Sequence, residues 1–178
     1  MNGSDIEFKV LLLGDEGVGK TTLVTRDKDG FHLEDLNLMI GVDFYTKDQV
    51  INGQKIRLKI WNIIREKRFR FLLSRYCIGA NGIFILYDIT NRSTLENIPE
   101  WIEILKKEKR EIPIILIGMK LDLEQLRSVS KERVLELVKS EGIDEYIECS
   151  TKTGENIEKA FEDLTKLMLQ QSYSYNYT

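Results

Sequence analysis

The residues with the clearest chemical potential fit the phosphate-binding loop pattern G-x-x-x-x-G-K-[ST] without a gap, in the stretch Gly14-Asp15-Glu16-Gly17-Val18-Gly19-Lys20-Thr21. In such a loop, backbone N–H groups and the start of the following helix point at phosphate oxygens. Lys20 would then reach the β- and γ-phosphates of a nucleotide, and the Thr21 hydroxyl would be a magnesium ligand. A chance match in a chain of this length has a probability of roughly one in a hundred. The predicted phosphate-binding residues are Asp15, Glu16, Gly17, Val18, Gly19, Lys20, Thr21 and Thr22.

Composition favours one domain with a full hydrophobic core, since the chain has 178 residues, of which 42% are hydrophobic and 31% are charged. No apolar run approaches the roughly 20 residues that span a bilayer, so we expect a soluble intracellular protein. Cys77 and Cys149 are isolated in apolar surroundings and are expected to be structural thiols. A net charge of -3 gives no support to nucleic-acid binding.

Alternating strand and helix patterns predict an α/β domain in which helices cover both faces of a sheet. Phe44 to Val50 and Lys55 to Trp61 flank Asn52-Gly53, a strong signal for an antiparallel hairpin. Continuously apolar runs predict buried central strands, and a short strand is expected near the C-terminus. These further strands are Phe8 to Leu13, Ile83 to Tyr87, Ile114 to Ile117 and Tyr146 to Cys149.

Helical spacing of apolar residues predicts three helices after the hairpin. The first begins at a capping box, Ser93-Thr94-Leu95-Glu96, and the second follows Ser130. The third follows Gly154, and we expect it to end near Gln171. The predicted organisation is therefore one domain over residues 1–171 and a short flexible tail, frayed or extended, over residues 172–178.

The order of these segments resembles the Ras superfamily of small GTPases, and its Rab branch, from Phe8 to about Leu169. The resemblance implies a P-loop NTPase fold, the G domain: a six-stranded, mostly parallel sheet with one antiparallel edge hairpin. It also implies GTP or GDP as ligand, with Mg²⁺. Besides the phosphate-binding loop, the matching blocks are Ile40-Gly41-Val42-Asp43-Phe44, Arg68-Phe69-Arg70, Gly79-Ala80-Asn81-Gly82-Ile83 and Leu86-Tyr87-Asp88-Ile89-Thr90-Asn91.

Two segments are similar to the guanine-recognition motifs of that family, N-K-x-D and S-A-K. They read Met119-Lys120-Leu121-Asp122 and Ser150-Thr151-Lys152. By resemblance, Asp122 accepts hydrogen bonds from the ring N–H and the exocyclic amine of guanine, each contributing roughly 1.5 to 3 kcal/mol. Met119 replaces an asparagine whose amide bonds to the phosphate-binding loop, so the affinity is expected to fall. The implied base-binding residues are Lys120, Asp122, Ser150, Thr151 and Lys152.

The two segments that sense the γ-phosphate in this family, switch I and switch II, are degenerate here. Met39 stands where the family has a threonine that contacts magnesium and the γ-phosphate. Where the family has W-D-T-A-G-Q-E, the chain reads Trp61-Asn62-Ile63-Ile64-Arg65-Glu66-Lys67. The aspartate, the glycine and the water-positioning glutamine are therefore absent, which leaves Glu66 as the candidate catalytic group.

Charge near the γ-phosphate position supports the same expectation. Glu16 would face that position by resemblance, and two unit charges about 5 Å apart repel by roughly 3 kcal/mol at an effective dielectric constant of 20. GTP should therefore bind less well than GDP. Arg65 has two interpretations: a cationic group that pairs with Glu16 or approaches the γ-phosphate, or a member of a solvated basic helix with Arg68 and Arg70.

These residues predict a Rab-like guanine-nucleotide-binding protein with slow GTP hydrolysis and an altered γ-phosphate switch. The alternative is a pseudo-GTPase interaction module in which nucleotide is absent or structural. Phe44, Trp61 and Tyr76 match the hydrophobic triad by which Rab proteins meet effectors, although all three could equally be core aromatics. A small-molecule P-loop kinase is disfavoured, since no arginine-rich lid segment is visible.

Membrane attachment is left open by the sequence. Rab proteins usually end in lipid-modified cysteines, whereas Tyr177-Thr178 stand at the end of this sequence. The expectation is a cytoplasmic protein, or one brought to the membrane periphery by a partner, unless the natural tail is longer.

Overall fold

A seven-stranded sheet is the centre of the computed structural model, which describes residues 6–26, 31–34, 41–63, 72–107 and 111–176. The strand order is β2-β3-β4-β1-β5-β6-β7. Strands β4, β1, β5, β6 and β7 are parallel, whereas β2–β3 and β3–β4 pair antiparallel. The strands are β1 Ile6–Gly14, β2 Phe31–Glu34, β3 Val42–Ile51, β4 Gln54–Ile63, β5 Gly82–Asp88, β6 Ile114–Met119 and β7 Glu145–Cys149.

The expected fold class is confirmed, with one difference at the edge of the sheet. The predicted hairpin forms between β3 and β4, and its turn has positive φ at Asn52 (51°) and Gly53 (80°), as an Asn-Gly turn favours. The sheet has seven strands rather than six because Phe31–Glu34 adds to β3, which places the hairpin one strand in from the edge. This four-residue strand carries no alternating pattern long enough to predict it.

Helices pack on both faces of the sheet. The predicted helices form, except that the first is divided at Asn97 into Arg92–Glu96 and Ile98–Lys106. Ser130 caps the helix Lys131–Glu141 by accepting a hydrogen bond from the backbone N–H of Arg133 (3.2 Å). A 3₁₀ helix, Leu121–Leu126, follows β6. The α-helices are α1 Lys20–Thr25, α2 Leu73–Cys77, α3 Arg92–Glu96, α4 Ile98–Lys106, α5 Lys131–Glu141 and α6 Ile157–Asn176.

Two local predictions need correction. The N-cap of α3 is Asn91 rather than Ser93, because the Asn91 side chain accepts a hydrogen bond from the Ser93 N–H at 3.2 Å. The tail predicted to be frayed or extended from Ser172 is helical as far as Asn176. Hydroxyl groups support this last stretch, since Ser172 and Ser174 donate to the carbonyls of Leu169 and Gln170.

Each face of the sheet has its own hydrophobic core. Towards α1 and α6, Phe84 of β5 meets Phe161 of α6 edge-on, with ring centroids 5.0 Å apart, and both side chains are fully buried. The opposite face is covered by α2 to α5. Cys77 and Cys149 are buried thiols, as expected, and burial raises the pKa of Cys149 to about 12. Among the described helices, none combines the length and apolar character that crossing a membrane requires.

Truncation of Phe161 tests this packing. We expect Phe161→Ala to lower the free energy of unfolding by about 3 to 5 kcal/mol, because it leaves a cavity against Phe84. Urea denaturation followed by circular dichroism measures it. Leu135→Ala is the control: Leu135 is 56% exposed on α5 and its truncation should cost about 0.5 kcal/mol or less. A loss below about 1 kcal/mol for Phe161→Ala would contradict the described packing.

Candidate nucleotide-binding site

The predicted site residues that the structure describes come from loops at one edge of the sheet. The carboxyl ends of parallel strands lie at the same edge, which is where ligands bind in open α/β sheets. The loop after β1 carries the phosphate-binding residues, and the loops after β6 and β7 carry Asp122 and Ser150. Residues more than 100 positions apart in the chain therefore lie at the same edge of the sheet, as the register of β1, β5, β6 and β7 requires.

The phosphate-binding loop closes around the ammonium group of Lys20. Lys20 Nζ donates to the backbone oxygens of Gly14 (2.6 Å) and Asp15 (2.9 Å), and the residue is only 7% exposed. Gly14 has φ 137°, and a Cβ there would lie 2.4 Å from the Leu86 carbonyl oxygen, so only glycine fits. Burial lowers the pKa of Lys20 to about 8, although the charges of Asp15 and Glu16 oppose the shift.

Asp15 directs its carboxylate away from the loop and towards α4. Its Oδ2 accepts a hydrogen bond from Asn97 Nδ2 (2.5 Å), and its Oδ1 accepts one from Trp101 Nε1 (3.3 Å). Two donors thus satisfy the carboxylate and hold it towards α4, while its charge still acts on Lys20. Sequence reasoning had grouped Asp15 with the nucleotide-binding residues. It missed Asn97 and Trp101, which lie 82 and 86 positions away with no local motif to mark them.

The other loop residues differ in exposure. Glu16 and Gly17 are exposed, Val18 is buried in the core below the loop, and Gly19 is half-buried. Thr21 and Thr22 are exposed at the start of α1. The exposed position of Glu16 means that solvent screens its charge, so its repulsion of an anion is weaker than the buried-site value.

Thr21 contacts Asn62, the residue that replaces the expected aspartate at the end of β4. Asn62 Nδ2 donates to Thr21 Oγ1 at 3.2 Å, and Asn62 is completely buried. Its Oδ1 is a buried acceptor without a hydrogen-bond partner in the described part of the chain. Asn62 Oδ1 could accept a hydrogen bond from a water molecule on Mg²⁺ next to Thr21. A neutral amide, however, attracts the cation less strongly than a carboxylate does.

Met119 contacts the phosphate-binding loop through van der Waals packing. The residue is buried, and its Cε lies 3.4 Å from the position that a Cβ on Gly19 would occupy. A thioether offers no amide donor, so a close apolar contact stands here in place of directional hydrogen bonds.

Lys120 is bound to the end of β5. Its Nζ lies 2.5 Å from Asp88 Oδ2, and its backbone has φ 68°. Burial would raise the pKa of Asp88, but hydrogen bonds from Lys120 and Thr90 hold it below the ordinary value. Asp88 is therefore a buried anion that sequence reasoning did not assign to the site, although it ends a buried strand at the ligand-binding edge.

The two base-recognition segments are joined by a direct hydrogen bond. Ser150 Oγ donates to Asp122 Oδ1 at 2.6 Å, and the same Oγ accepts from the Thr153 N–H at 3.1 Å. Ser150 is fully buried, Asp122 and Thr151 are half-buried, and Lys152 is exposed. The Asp122 carboxylate is thus held at the surface of the site by a donor from the other segment, which suits its predicted role as a reader of base edges.

Several predicted switch positions fall outside the described residues. These are Met39, Arg65 and Glu66, together with Arg68 and Arg70 of the basic cluster. Both interpretations of Arg65 remain predictions, as does the catalytic candidate Glu66.

The predicted effector triad forms one aromatic cluster. The Phe44 and Trp61 rings meet edge-on at 4.9 Å, and the Trp61 and Tyr76 centroids are 6.3 Å apart. Lys9 Nζ lies 3.5 Å from the centre of the Trp61 ring. Phe44 and Tyr76 are 8% and 9% exposed, so most of their area belongs to the core, whereas Trp61 is half-buried.

Comparison with known proteins supports the resemblance noted in the sequence. The sequence profile of the Ras family matches residues 9–170. The chain is 36% identical to the Ras-related protein Rab-30 of Homo sapiens over 173 residues, which cover 97% of this chain and 85% of Rab-30. It is 38% identical to Rab-26 of Rattus norvegicus over 170 residues, 94% of this chain and 66% of Rab-26. RABC2a of Arabidopsis thaliana is 37% identical over 175 residues, 95% of this chain and 81% of RABC2a.

The buried position of Lys20 leads to a prediction about its protonation. In the ligand-free protein its pKa should lie near 8, well below the ordinary 10.4, because burial penalises the ammonium form. Inorganic pyrophosphate should raise this pKa, since nearby negative charge favours the ammonium. NMR titration of lysine side chains measures both values, and Lys20→Gln assigns the resonance. A Lys20 resonance that titrates only above pH 10 without ligand would contradict the described burial.

Proposed function

This chain belongs to the Ras family of small GTPases, on its Rab-like branch, and we propose that it binds GDP and GTP, hydrolyses GTP slowly and has an altered γ-phosphate switch. The single observation that carries the proposal is the bond from Ser150 Oγ to Asp122 Oδ1 (2.6 Å). It orients a carboxylate at the sheet edge that also holds the Lys20 loop. A guanine reader and a phosphate cradle are thus available to the same ligand.

Each retained residue has a distinct role in the proposed binding. Lys20 donates to phosphate oxygens, since its ammonium group has three donors and the carbonyls of Gly14 and Asp15 occupy two, and the loop N–H groups complete the cradle. Asp122 accepts from the ring N–H and the exocyclic amine of guanine. Lys120 and Lys152 flank the base, with Lys120 placed by Asp88. Ser150 and Thr151 hold the second base-recognition segment in position.

Magnesium binds weakly in this proposal. Thr21 and, through a water molecule, Asn62 would hold the ion beside the nucleotide, where Mg²⁺ supplies charge neutralisation between the phosphates. Asn62 is neutral and Met39 offers no hydroxyl, so this chain attracts the ion less than a family member with aspartate and threonine at those positions. GDP should therefore bind more tightly than GTP, whose extra charge depends more on the metal and faces Glu16.

Hydrolysis is slow in this proposal because phosphoryl transfer depends on positioning and electrostatics. The groups that orient water and sense the γ-phosphate are substituted at Met39, Asn62 and Arg65. Glu66 is the acidic residue left to position the attacking water. The binding residues, by contrast, are retained, so binding and turnover separate in this chain.

A second candidate function is that of an interaction module with weak or no nucleotide turnover. The contiguous cluster of Phe44, Trp61 and Tyr76 favours it, since the half-buried Trp61 ring offers apolar surface to an effector or regulator protein. The two functions are compatible if the nucleotide stabilises the fold on which the cluster is displayed. We place the protein in the cytoplasm or, through such a partner, at a membrane surface.

Calorimetric titration of nucleotide-free protein tests the proposal. GDP should bind tightly, and a non-hydrolysable GTP analogue should bind at least about tenfold more weakly, with little effect of magnesium, because the γ-phosphate meets Glu16 and lacks a metal ligand at Met39. Adenosine diphosphate is the control and should not compete. Equal, magnesium-dependent binding of GDP and the analogue would disprove the altered switch, whereas binding of neither would favour the interaction module.

Restoring the acidic side chain tests the magnesium argument separately. The relevant ratio is the GDP affinity with magnesium divided by the GDP affinity without it. Asn62→Asp should raise this ratio by tenfold or more, because the added negative charge attracts the ion. Asn52→Asp adds the same charge in the hairpin turn and should leave the ratio unchanged. Fluorescent GDP displacement at fixed ionic strength measures both variants. An unchanged ratio for Asn62→Asp would show that position 62 does not govern the metal.

A further inference from the structure

A partly buried polar cluster lies next to the base-recognition segments. We call it the anchor cluster, and it consists of Tyr87, Arg127, Tyr146 and Glu148. Tyr87 is in β5 and Tyr146 and Glu148 are in β7, whereas Arg127 directly follows the 3₁₀ helix that contains Asp122. The cluster therefore joins three chain segments that end at the site.

The strongest contact in the anchor cluster is a forked ion pair. Arg127 donates to both carboxylate oxygens of Glu148, at 2.8 Å from Nη1 and 2.7 Å from Nη2. The two side chains are only 14% and 8% exposed, so solvent screens the pair little. Glu124 also accepts from Arg127, at 3.0 and 2.5 Å, and Lys131 lies 3.8 Å from Glu148.

Two tyrosines extend the anchor cluster into the sheet. Tyr146 donates its hydroxyl hydrogen to Glu148 Oε1, and the Tyr87 and Tyr146 hydroxyls are 2.9 Å apart. Their rings stack with centroids 6.5 Å apart. Gly118 of β6 makes room, because a Cβ there would lie 2.8 Å from the Tyr87 hydroxyl. Burial raises the pKa of Glu148, but hydrogen bonds from Arg127 and Tyr146 outweigh it and keep the carboxyl ionised.

The anchor cluster complements the bond between Asp122 and Ser150. The loop after β6 and the end of β7 are linked twice, first from Asp122 to Ser150 and then from Arg127 to Glu148. In the segment after β6, the linked residues Asp122 and Arg127 are five positions apart. At the end of β7, Glu148 and Ser150 are two positions apart. A segment held at two points cannot rotate about either one, so the direction of the Asp122 carboxylate depends on both links.

Met119 increases this dependence in the present chain. Its packing against Gly19 is apolar, and a thioether supplies no amide donor to link the base-recognition loop to the phosphate-binding loop. The directional contacts described for this segment are then those with Asp88, Ser150 and Glu148, and the last of these belongs to the anchor cluster.

We propose that the anchor cluster determines guanine selectivity by positioning Asp122, with Arg127 and Tyr146 as positioning residues that do not touch the ligand. This rests on the proposed function, because it concerns recognition of the base. Guanine presents two neighbouring donors, the ring N–H and the exocyclic amine, and both are aligned at once only for one direction of the carboxylate, since hydrogen bonds weaken steeply with misalignment. Inosine diphosphate lacks the exocyclic amine and can donate only its ring N–H to Asp122. Its affinity therefore measures binding without the second hydrogen bond to the carboxylate.

The experiment compares the affinities of GDP and inosine diphosphate by calorimetry in nucleotide-free full-length protein. The unchanged protein should favour GDP by about tenfold or more. Arg127→Met should lower the affinity for GDP by about tenfold and that for inosine diphosphate by less than about threefold, so the ratio falls. Arg127→Lys keeps the charge without the fork and should give an intermediate ratio. Arg133→Met removes an exposed pair with Glu136 on α5 and is the matched control.

Each outcome separates this inference from the proposed function. If the unchanged protein binds neither nucleotide, the proposed function is wrong and the inference is wrong with it. If it binds GDP, but Arg127→Met weakens both ligands equally, the anchor cluster is only structural and the inference is overturned. If Arg127→Met does not fold by circular dichroism, Tyr146→Phe carries the same comparison, since it removes one hydroxyl at nearly constant volume. An unchanged ratio in Tyr146→Phe would then overturn the inference.

Discussion

The hydrogen bonds of the buried Lys20 ammonium group are the interaction on which the site depends most. Lys20 Nζ binds the backbone oxygens of Gly14 and Asp15, so one cation holds the end of β1 and the loop in a curved path. That path requires glycine at position 14, where the carbonyl of Leu86 leaves no space for a side chain. The loop is therefore a preorganised concave site whose cation is already desolvated, which favours an anionic ligand over water.

Around this centre, the acidic groups of the site are held by donors of the protein itself. Asn97 and Trp101 bind Asp15, Lys120 binds Asp88, and Ser150 binds Asp122. Each donor fixes the direction of a carboxylate that would otherwise repel an incoming anion or turn into solvent. These paired carboxylates point towards α4, Lys120 or the base-recognition segments, while the phosphate-binding loop presents its N–H groups, Lys20 and the exposed Glu16.

Local signals in the sequence predicted much of the fold and part of the site. Asn52-Gly53 predicted the hairpin because its turn needs positive φ at both positions, and Ser130 predicted the start of α5. The N-cap of α3 was predicted wrongly because Asn91 and Ser93, two positions apart, are both good capping residues. The tail from Ser172 was predicted as frayed or extended, but Ser172 and Ser174 bond to backbone oxygens and the chain stays helical there. The partners of Asp15 and the anchor cluster depend on strand order, which no spacing in the sequence contains.

The proposed function separates nucleotide binding from turnover, and physical chemistry explains why such a division would be stable. Base and phosphate binding use backbone geometry and a few paired side chains, which Met119 and Asn62 accommodate through packing and one hydrogen bond to Thr21. Turnover needs an ion and a water molecule placed within a fraction of an ångström. A neutral buried amide attracts the ion less strongly than a carboxylate and therefore positions it less well. Loss of the aspartate charge also removes the desolvation penalty of a buried carboxylate in the ligand-free protein. The fold thus accommodates asparagine at position 62, whereas the proposed slow hydrolysis follows from the same substitution.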